Sequence, residues 1–223
     1  ARLEQLDAAL ARLADRYGSR TLMGRTRMQA AMAIAVADRI GAWRAPLIRH
    51  GARLRSLAPS LLVVQFGGAA GTLDTLGGKG EAVRRGLAAR LELGDGAQWH
   101  SQRDRLAEFA GLLSLISGTL GKFGQDIALL AQAGDEIVLE GGGSSSAMPH
   151  KSNPVAAELL VTLAGFNALQ LSGLHLALVH EQERSGSAWS LEWMLLPQMA
   201  VATAASLRLA QQVMETIRSI GRD

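Results

Sequence analysis

The sequence predicts an all-α protein: a bundle of long helices that other subunits complete. Composition is the first reason. Hydrophobic residues make up 48% of the 223 positions but aromatic residues only 4%, so the core is built mainly from Leu, Ala, Val, Ile and Met. That mixture favours packed helices over a sheet rich in aromatic and β-branched residues. The second is a run apolar nearly all round, from Gln102 to about Ala133, which must be surrounded to be stable. The third is Gly111, Gly118, Gly121 and Gly124 inside that run. Each costs a helix about 1 kcal/mol relative to alanine, a cost offset where neighbouring helices approach closely. No fixed-period repeat and no βαβ alternation is visible.

Taken in order, Leu3, Leu6, Leu10 and Leu13 mark one helical face, and "YGS" at 17 to 19 ends it. A polar stretch, "RTLMGRTRMQ", follows. The next helix is expected from roughly Ala30 to Ala58, with Pro46 as a kink or break. The glycine-rich "QFGGAAGTLDTLGGKG" at 65 to 80 holds a turn or a close helix approach, and about 81 to 93 form a short helix. "GDGAQWHS" interrupts, with Ser101 as a candidate N-cap of the long run. A helix from about Val155 to Val179 spans roughly 37 Å at 1.5 Å per residue. "HEQERSGSAW" interrupts again, and a last helix runs from about Leu191 to Ile220.

The length suits one domain, residues 1–223, read as a central helical bundle. Net charge is +3, the arginines are scattered, and no aromatic-basic pattern points to nucleic acid. A small anionic ligand fits that balance. The absence of cysteine excludes disulfides and thiolate metal sites and suits a reducing cytoplasm. The amphipathic, charged N-terminus is neither a signal nor a transit peptide. The best membrane candidate, "VAAELLVTLAGFNALQLSGLHLALVH", carries Glu158, Asn167, Gln170 and two histidines, so no membrane partner is expected. The chain opens in mid-helix without an initiator Met, as a piece of something longer would.

The most informative stretch is "GGGSSSAMPHKSNP", 141 to 154. Gly- and Ser-rich loops are usually linkers, but a linker has no use for "MPHKSNP". Pro149 and Pro154 stiffen the chain around Lys151 and Asn153, and Asn153 suits the N-cap of the helix that follows. A Walker A loop needs a glycine directly before the lysine, where His150 stands, and a strand before the loop. The serine-hydrolase elbow fails as well. A third reading has serines beside Lys151 and His150 closing over an anion. Burial next to positive charge favours a serine alkoxide. It can take a proton from a carbon next to a carboxylate while Lys151 and Asn153 stabilise the enediolate.

"SSSAMPHKSNP" resembles the signature loop of the fumarase/aspartase superfamily, Gly-Ser-Ser-x-Met-Pro-x-Lys-x-Asn-Pro. It matches at every fixed position except the first, where Ser144 stands for Gly. "GRTRMQAAMA" (24 to 33) resembles a second motif of the family, Gly-x-Thr-x-x-Gln-x-Ala-x-Pro, with Gly24, Thr26, Gln29 and Ala31 in place and Ala33 where the family has Pro. Where fumarase-like lyases carry His after the Thr, this chain has Arg27. That departure is similar to the 3-carboxy-cis,cis-muconate cycloisomerase branch, as are "QFGGAAGTL", "PHKSNPVA" and "HEQERSGSAWSLEW". The resemblance runs from about Leu22 to Pro197. The family's N-terminal His-x-x-x-Thr-Ser-Gln-Asp-like motif has no counterpart here, so part of the fold is expected to be missing from this piece.

The resemblance implies the long-helix bundle of the fumarase/aspartase type, a homotetramer with sites shared between subunits, and a cytoplasmic enzyme of aromatic catabolism in the β-ketoadipate pathway. It implies Ser145, with Ser146 beside it, as the catalytic serine. Lys151 and Asn153 contact a substrate carboxylate, and Met148 and His150 flank them on the loop. Arg25, Thr26, Arg27 and Gln29 come from the second motif, and Gln102 and Arg103 from the turn before the long run. The implied reaction closes a lactone on a 3-carboxy- or 3-sulfo-substituted muconate through an enediolate-like state, with no metal and no cofactor. The substrate is a small polyanionic dicarboxylate or tricarboxylate, and a bidentate arginine at 27 suits either substituent. Two alternatives stay open: a β-elimination lyase releasing fumarate, as with argininosuccinate or adenylosuccinate, and an inactive structural member of the scaffold. Arg27 also suits a plain surface. Gln102, Arg103 and Arg105 also suit a solvated first turn, and His180, Glu181, Glu183 and Arg184 suit equally a network behind the substrate contacts and a charged helix end. His50 and His175 read as structural, His100 as undecided. Trp189 and Trp193 read as core or interface, and a substrate contact through Thr72 is the lesser reading of "GGAAGT".

Overall fold

Amphipathic spacing decides the first element. Leu6, Leu10, Leu13 and Tyr17 lie on one stripe and are buried, so Arg2–Tyr17 forms α1. The computed structural model describes residues 1–140, 143–144 and 152–223. After α1 come β1 (Thr21–Thr26), β2 (Gln29–Ala35), α2 (Val36–Leu61), a 3₁₀ segment (Asp74–Lys79), α3 (Gly80–Arg90) and α4 (Asp104–Ala133). Then follow β3 (Ile137–Leu139), β4 (Gly143–Ser144), β5 (Ser152–Asn153), α5 (Val155–Leu176), α6 (Ser187–Thr216) and β6 (Ile217–Ile220). Long helices dominate, and among the described residues the strands pair only two by two: β1 with β2, β3 with β6, β4 with β5, all antiparallel.

The chain divides into two compact units. One holds Ala1–Gly51, Ser114–Asn167 and Val201–Asp223; the other holds Ala52–Leu113 and Ala168–Ala200. In the first, Ile40, Trp43 and Leu47 of α2 and Leu120, Phe123, Ile127 and Leu130 of α4 are buried. Trp43 meets Phe123 edge-on at 5.1 Å and donates its indole N–H to Asp126 at 2.7 Å. His50 bonds Thr119 at 2.8 Å. Since 43 faces 126 and 50 faces 119, these portions of α2 and α4 run antiparallel. The interior glycines of α4 split into two kinds. A Cβ on Gly124 would lie 2.4 Å from the Ala157 carbonyl oxygen, and one on Gly121 2.6 Å from the Ala164 Cβ. These two allow α5 to approach. Gly111 and Gly118 meet nothing within 4 Å.

The second unit has its core in Ala110, Leu113, Leu174 and Met199, with Phe109, Leu171 and Leu195 packed against them. Its glycine-rich stretch makes a tight turn: Gly71 has φ +84°, and the Gly68 N–H donates to the Thr72 carbonyl at 2.7 Å.

Four expectations change. The helix expected from Ala30 begins at Val36, because residues 29–35 pair with β1. Ala, Met and Gln are good helix formers, and non-local pairing overrides that preference. Pro46 does not break α2, which continues to Leu61. The last helix begins earlier, at Ser187, and stops at Thr216, where 217–220 join β3 as a strand. Asn153 lies in β5 and the carbonyl of Pro154 accepts the first helical bonds, from Ala157 at 2.9 Å and Glu158 at 3.1 Å, so the proline stands at the start of α5.

Candidate active-site cleft and polar centre

The β1–β2 hairpin gathers four of the expected site residues. Arg25 and Thr26 end β1, Gln29 opens β2 opposite Thr26, and Arg27 with Met28 makes the two-residue turn. Both turn residues have positive φ, +49° and +66°. A two-residue turn with both centres left-handed suits the twist of a hairpin, but Asn-Gly usually fills it. An L-residue with a Cβ costs roughly 1–2 kcal/mol in that conformation. Arg-Met is therefore a strained choice, and such strain concentrates at functional sites. Gly24 permits the bend above it, since a Cβ there would lie 2.9 Å from the Met32 carbonyl oxygen.

A buried carboxylate anchors the hairpin. The Glu136 side chain, 1% exposed, accepts from the Met23 N–H and from the Arg25 guanidinium, each at 2.6 Å. Burial alone would raise its pKa; the Met23 N–H and Arg25 outweigh burial and hold it below the ordinary carboxylate range. Beside the turn lies a cleft of about 520 Å³, within the roughly 300–1,000 Å³ of small-molecule sites. Its walls include Arg25, Arg27 and Arg39, with Lys122 and Asp126 from α4 and an apolar floor at Leu129. Four cations face one carboxylate there, and Asp126 already accepts from Lys122 and from Trp43. Sequence reasoning missed Arg39, Lys122, Asp126 and Glu136. The spacing of Lys122 and Asp126, four apart on a helix, was the signal available for two of them.

In the second unit a polar centre forms before α4. Arg103, 5% exposed, grips Glu192 through two bonds at 2.9 and 2.7 Å, and its remaining nitrogen faces the carbonyls of Trp99 and His100 at 3.5 and 3.4 Å. Its donors are engaged within the unit, whereas Gln102 is exposed. The buried His180 lies 3.6 Å from Glu192, outside hydrogen-bond reach. Arg184 reaches His100 Nδ1 at 3.3 Å and the Gly68 carbonyl at 3.5 Å. A guanidinium only donates, so His100 Nδ1 accepts and the ring proton sits on Nε2. Burial first, then Arg184 and Arg103, pushes the His100 pKa down. Arg184 is thus part of a network while His180 lies beside it without a hydrogen bond, and His50 is a buried structural histidine.

Asn153 is partly buried, with Gly143 opposite it in the β4–β5 pair. Ser145, Ser146, Met148, His150 and Lys151 lie outside the described residues. Among the described residues no group of three or more His, Asp or Glu could hold a metal ion.

Comparison with known proteins gives this arrangement its relatives. A family model described as lyase matches residues 1–168. A 3-carboxy-cis,cis-muconate cycloisomerase of Pseudomonas aeruginosa is 42% identical over 218 residues, covering 96% of this chain and 48% of that protein. The crystal structure of the 3-carboxy-cis,cis-muconate lactonizing enzyme from Pseudomonas putida superposes with a TM-score of 0.91 at 40% identity, over 98% of this chain and 49% of that one. A fumarate lyase from Mesorhizobium sp. BNC1 superposes with a TM-score of 0.89 at 32% identity, over 99% of this chain and 49% of that one. The chain thus spans about half the length of the curated relatives it matches. The two motifs, the helical fold and these likenesses agree: the chain belongs to the lyase family of the fumarase/aspartase type and groups with its 3-carboxy-cis,cis-muconate cycloisomerases.

Proposed function

We propose that the protein is a cofactor-independent cycloisomerase that closes a lactone on a 3-substituted cis,cis-muconate, with a carboxylate or a sulfonate at position 3. The observation that carries the reading is the cationic cleft at a strained Arg27–Met28 turn, on a chain 42% identical to a 3-carboxy-cis,cis-muconate cycloisomerase. Arg27 stands where elimination lyases of the superfamily carry His, which favours cycloisomerisation over fumarate release.

One substrate carboxylate oxygen forms a bond to an alkene carbon and closes the five-membered ring. The π electrons move toward the second carboxylate, giving an enediolate-like state. The Ser145 hydroxyl delivers a proton to the adjacent carbon; in reverse, its alkoxide removes that proton and the ring carboxylate leaves. Catalysis requires donors that hold the developing charge more tightly than the substrate's charge. Lys151 and Asn153 supply them on the loop, and Arg25, Thr26, Arg27 and Gln29 on the hairpin.

The working form is a cytoplasmic homotetramer of aromatic catabolism, with sites shared between subunits. In support, α5 is strongly apolar along its length, and Leu169 and Leu176 are 76% and 70% exposed in the single chain. Helices of this kind are stable when other helices cover them. The test of function is turnover of 3-carboxy- and 3-sulfomuconate by the full-length protein, read as loss of diene absorbance and with product identified by NMR.

A further inference from the structure

We infer that Arg39, together with Arg27, forms a carboxylate clamp in the hairpin cleft, and that the clamp sets specificity for a polyanionic substrate. The inference rests on the cycloisomerase reading for the identity of that substrate. Its starting point is charge pairing. Of the four cations lining the cleft, Arg25 is held by Glu136 and Lys122 by Asp126. Among the described residues, Arg27 and Arg39 have no carboxylate partner.

Two guanidiniums that line one cleft without a carboxylate partner among the described residues repel, and folding gains nothing from placing them there. A ligand with two or more carboxylates removes the repulsion and gives each guanidinium an acceptor of matching fork geometry. The two residues are also placed differently. Arg39 stands in the first turns of α2, a rigid element, while Arg27 stands on the strained turn. Arg25 and Lys122, each already paired with a carboxylate, add little net potential, so Arg27 and Arg39 carry the uncompensated charge of the cleft. Leu129 supplies an apolar surface for the carbon skeleton. The cleft therefore suits a short, unsaturated or saturated chain carrying carboxylates a few bonds apart, rather than a phosphoester or a neutral sugar.

The probe is propane-1,2,3-tricarboxylate, which cannot lactonise, titrated calorimetrically into the full-length protein at fixed ionic strength. Wild type should bind saturably. Arg39→Gln should weaken binding about tenfold or more, the loss expected for a charge-assisted contact, and Arg39→Lys should restore part of it. Arg90→Gln, on α3, should change nothing. Melting temperature and circular dichroism check that each variant is folded. Absence of saturable binding to wild type, or binding by Arg39→Gln equal to wild type, overturns the clamp. Kinetics separate this inference from the reading beneath it. If 3-carboxymuconate is lactonised and Arg39→Gln leaves KM unchanged, the clamp is wrong and the cycloisomerase stands. If no form turns over any muconate yet the tricarboxylate binds in an Arg39-dependent way, the clamp stands and the cycloisomerase is wrong.

Discussion

Glu136 shows how a single buried carboxylate sets the geometry of the hairpin. Its pKa is lowered in the folded chain relative to the unfolded value of about 4.3. The stabilisation is then full above that value and is lost as pH falls through the lower folded value. Hairpin amides should accordingly keep their exchange protection down to about pH 4 and lose it in stronger acid. Glu136→Gln keeps an acceptor for Met23 but loses the negative charge that pairs with Arg25, and should cost about 2 kcal/mol in urea unfolding. An unchanged midpoint would remove the anchor. None of this was legible in "GDEIVLE", since Glu136 acquires its partners from residues more than a hundred positions away. Arg103 teaches a similar lesson. The family resemblance suggested a substrate contact and its placement before a helix a solvated first turn, and nothing local announced Glu192 as its partner. Removing one member of so buried a pair leaves a stranded charge, so Glu192→Leu alone should destabilise by about 3–5 kcal/mol, and adding Arg103→Met should recover much of the loss.

At the level of elements, helices were readable and strands were not. The period of Leu6, Leu10 and Leu13 predicts α1 from local sequence alone, and α4 announces itself by length and apolarity. The β1–β2 hairpin carries no Asn-Gly and is made partly of helix-forming residues, so only the pairing of 21–26 with 29–35 decides it. Its motif was still recognisable, because the motif records chemistry rather than secondary structure. The glycines of α4 give a test of opposite signs. Gly124→Ala forces a Cβ against the Ala157 carbonyl and should lower stability by about 1–3 kcal/mol. Gly118→Ala meets open space in a helix and should raise stability by up to about 1 kcal/mol. Equal effects from the two would contradict the close approach of α4 to α5.

For the whole molecule, composition foretold the all-α class, and two short motifs foretold the family. An assembly enters only as a need: α5 leaves Leu169 and Leu176 exposed in the single chain. If sister subunits cover them, Leu169→Glu with Leu176→Glu should convert the native species to smaller ones in analytical ultracentrifugation while helicity remains. The lactone-forming reading is tested most directly by following the ultraviolet spectrum of 3-carboxy-cis,cis-muconate with the full-length enzyme and with its Ser145→Ala variant. The account predicts that the wild type bleaches the diene without EDTA sensitivity, and that the variant, equally helical, does not. Persistence of the diene with wild type, or equal bleaching by the variant, would contradict it.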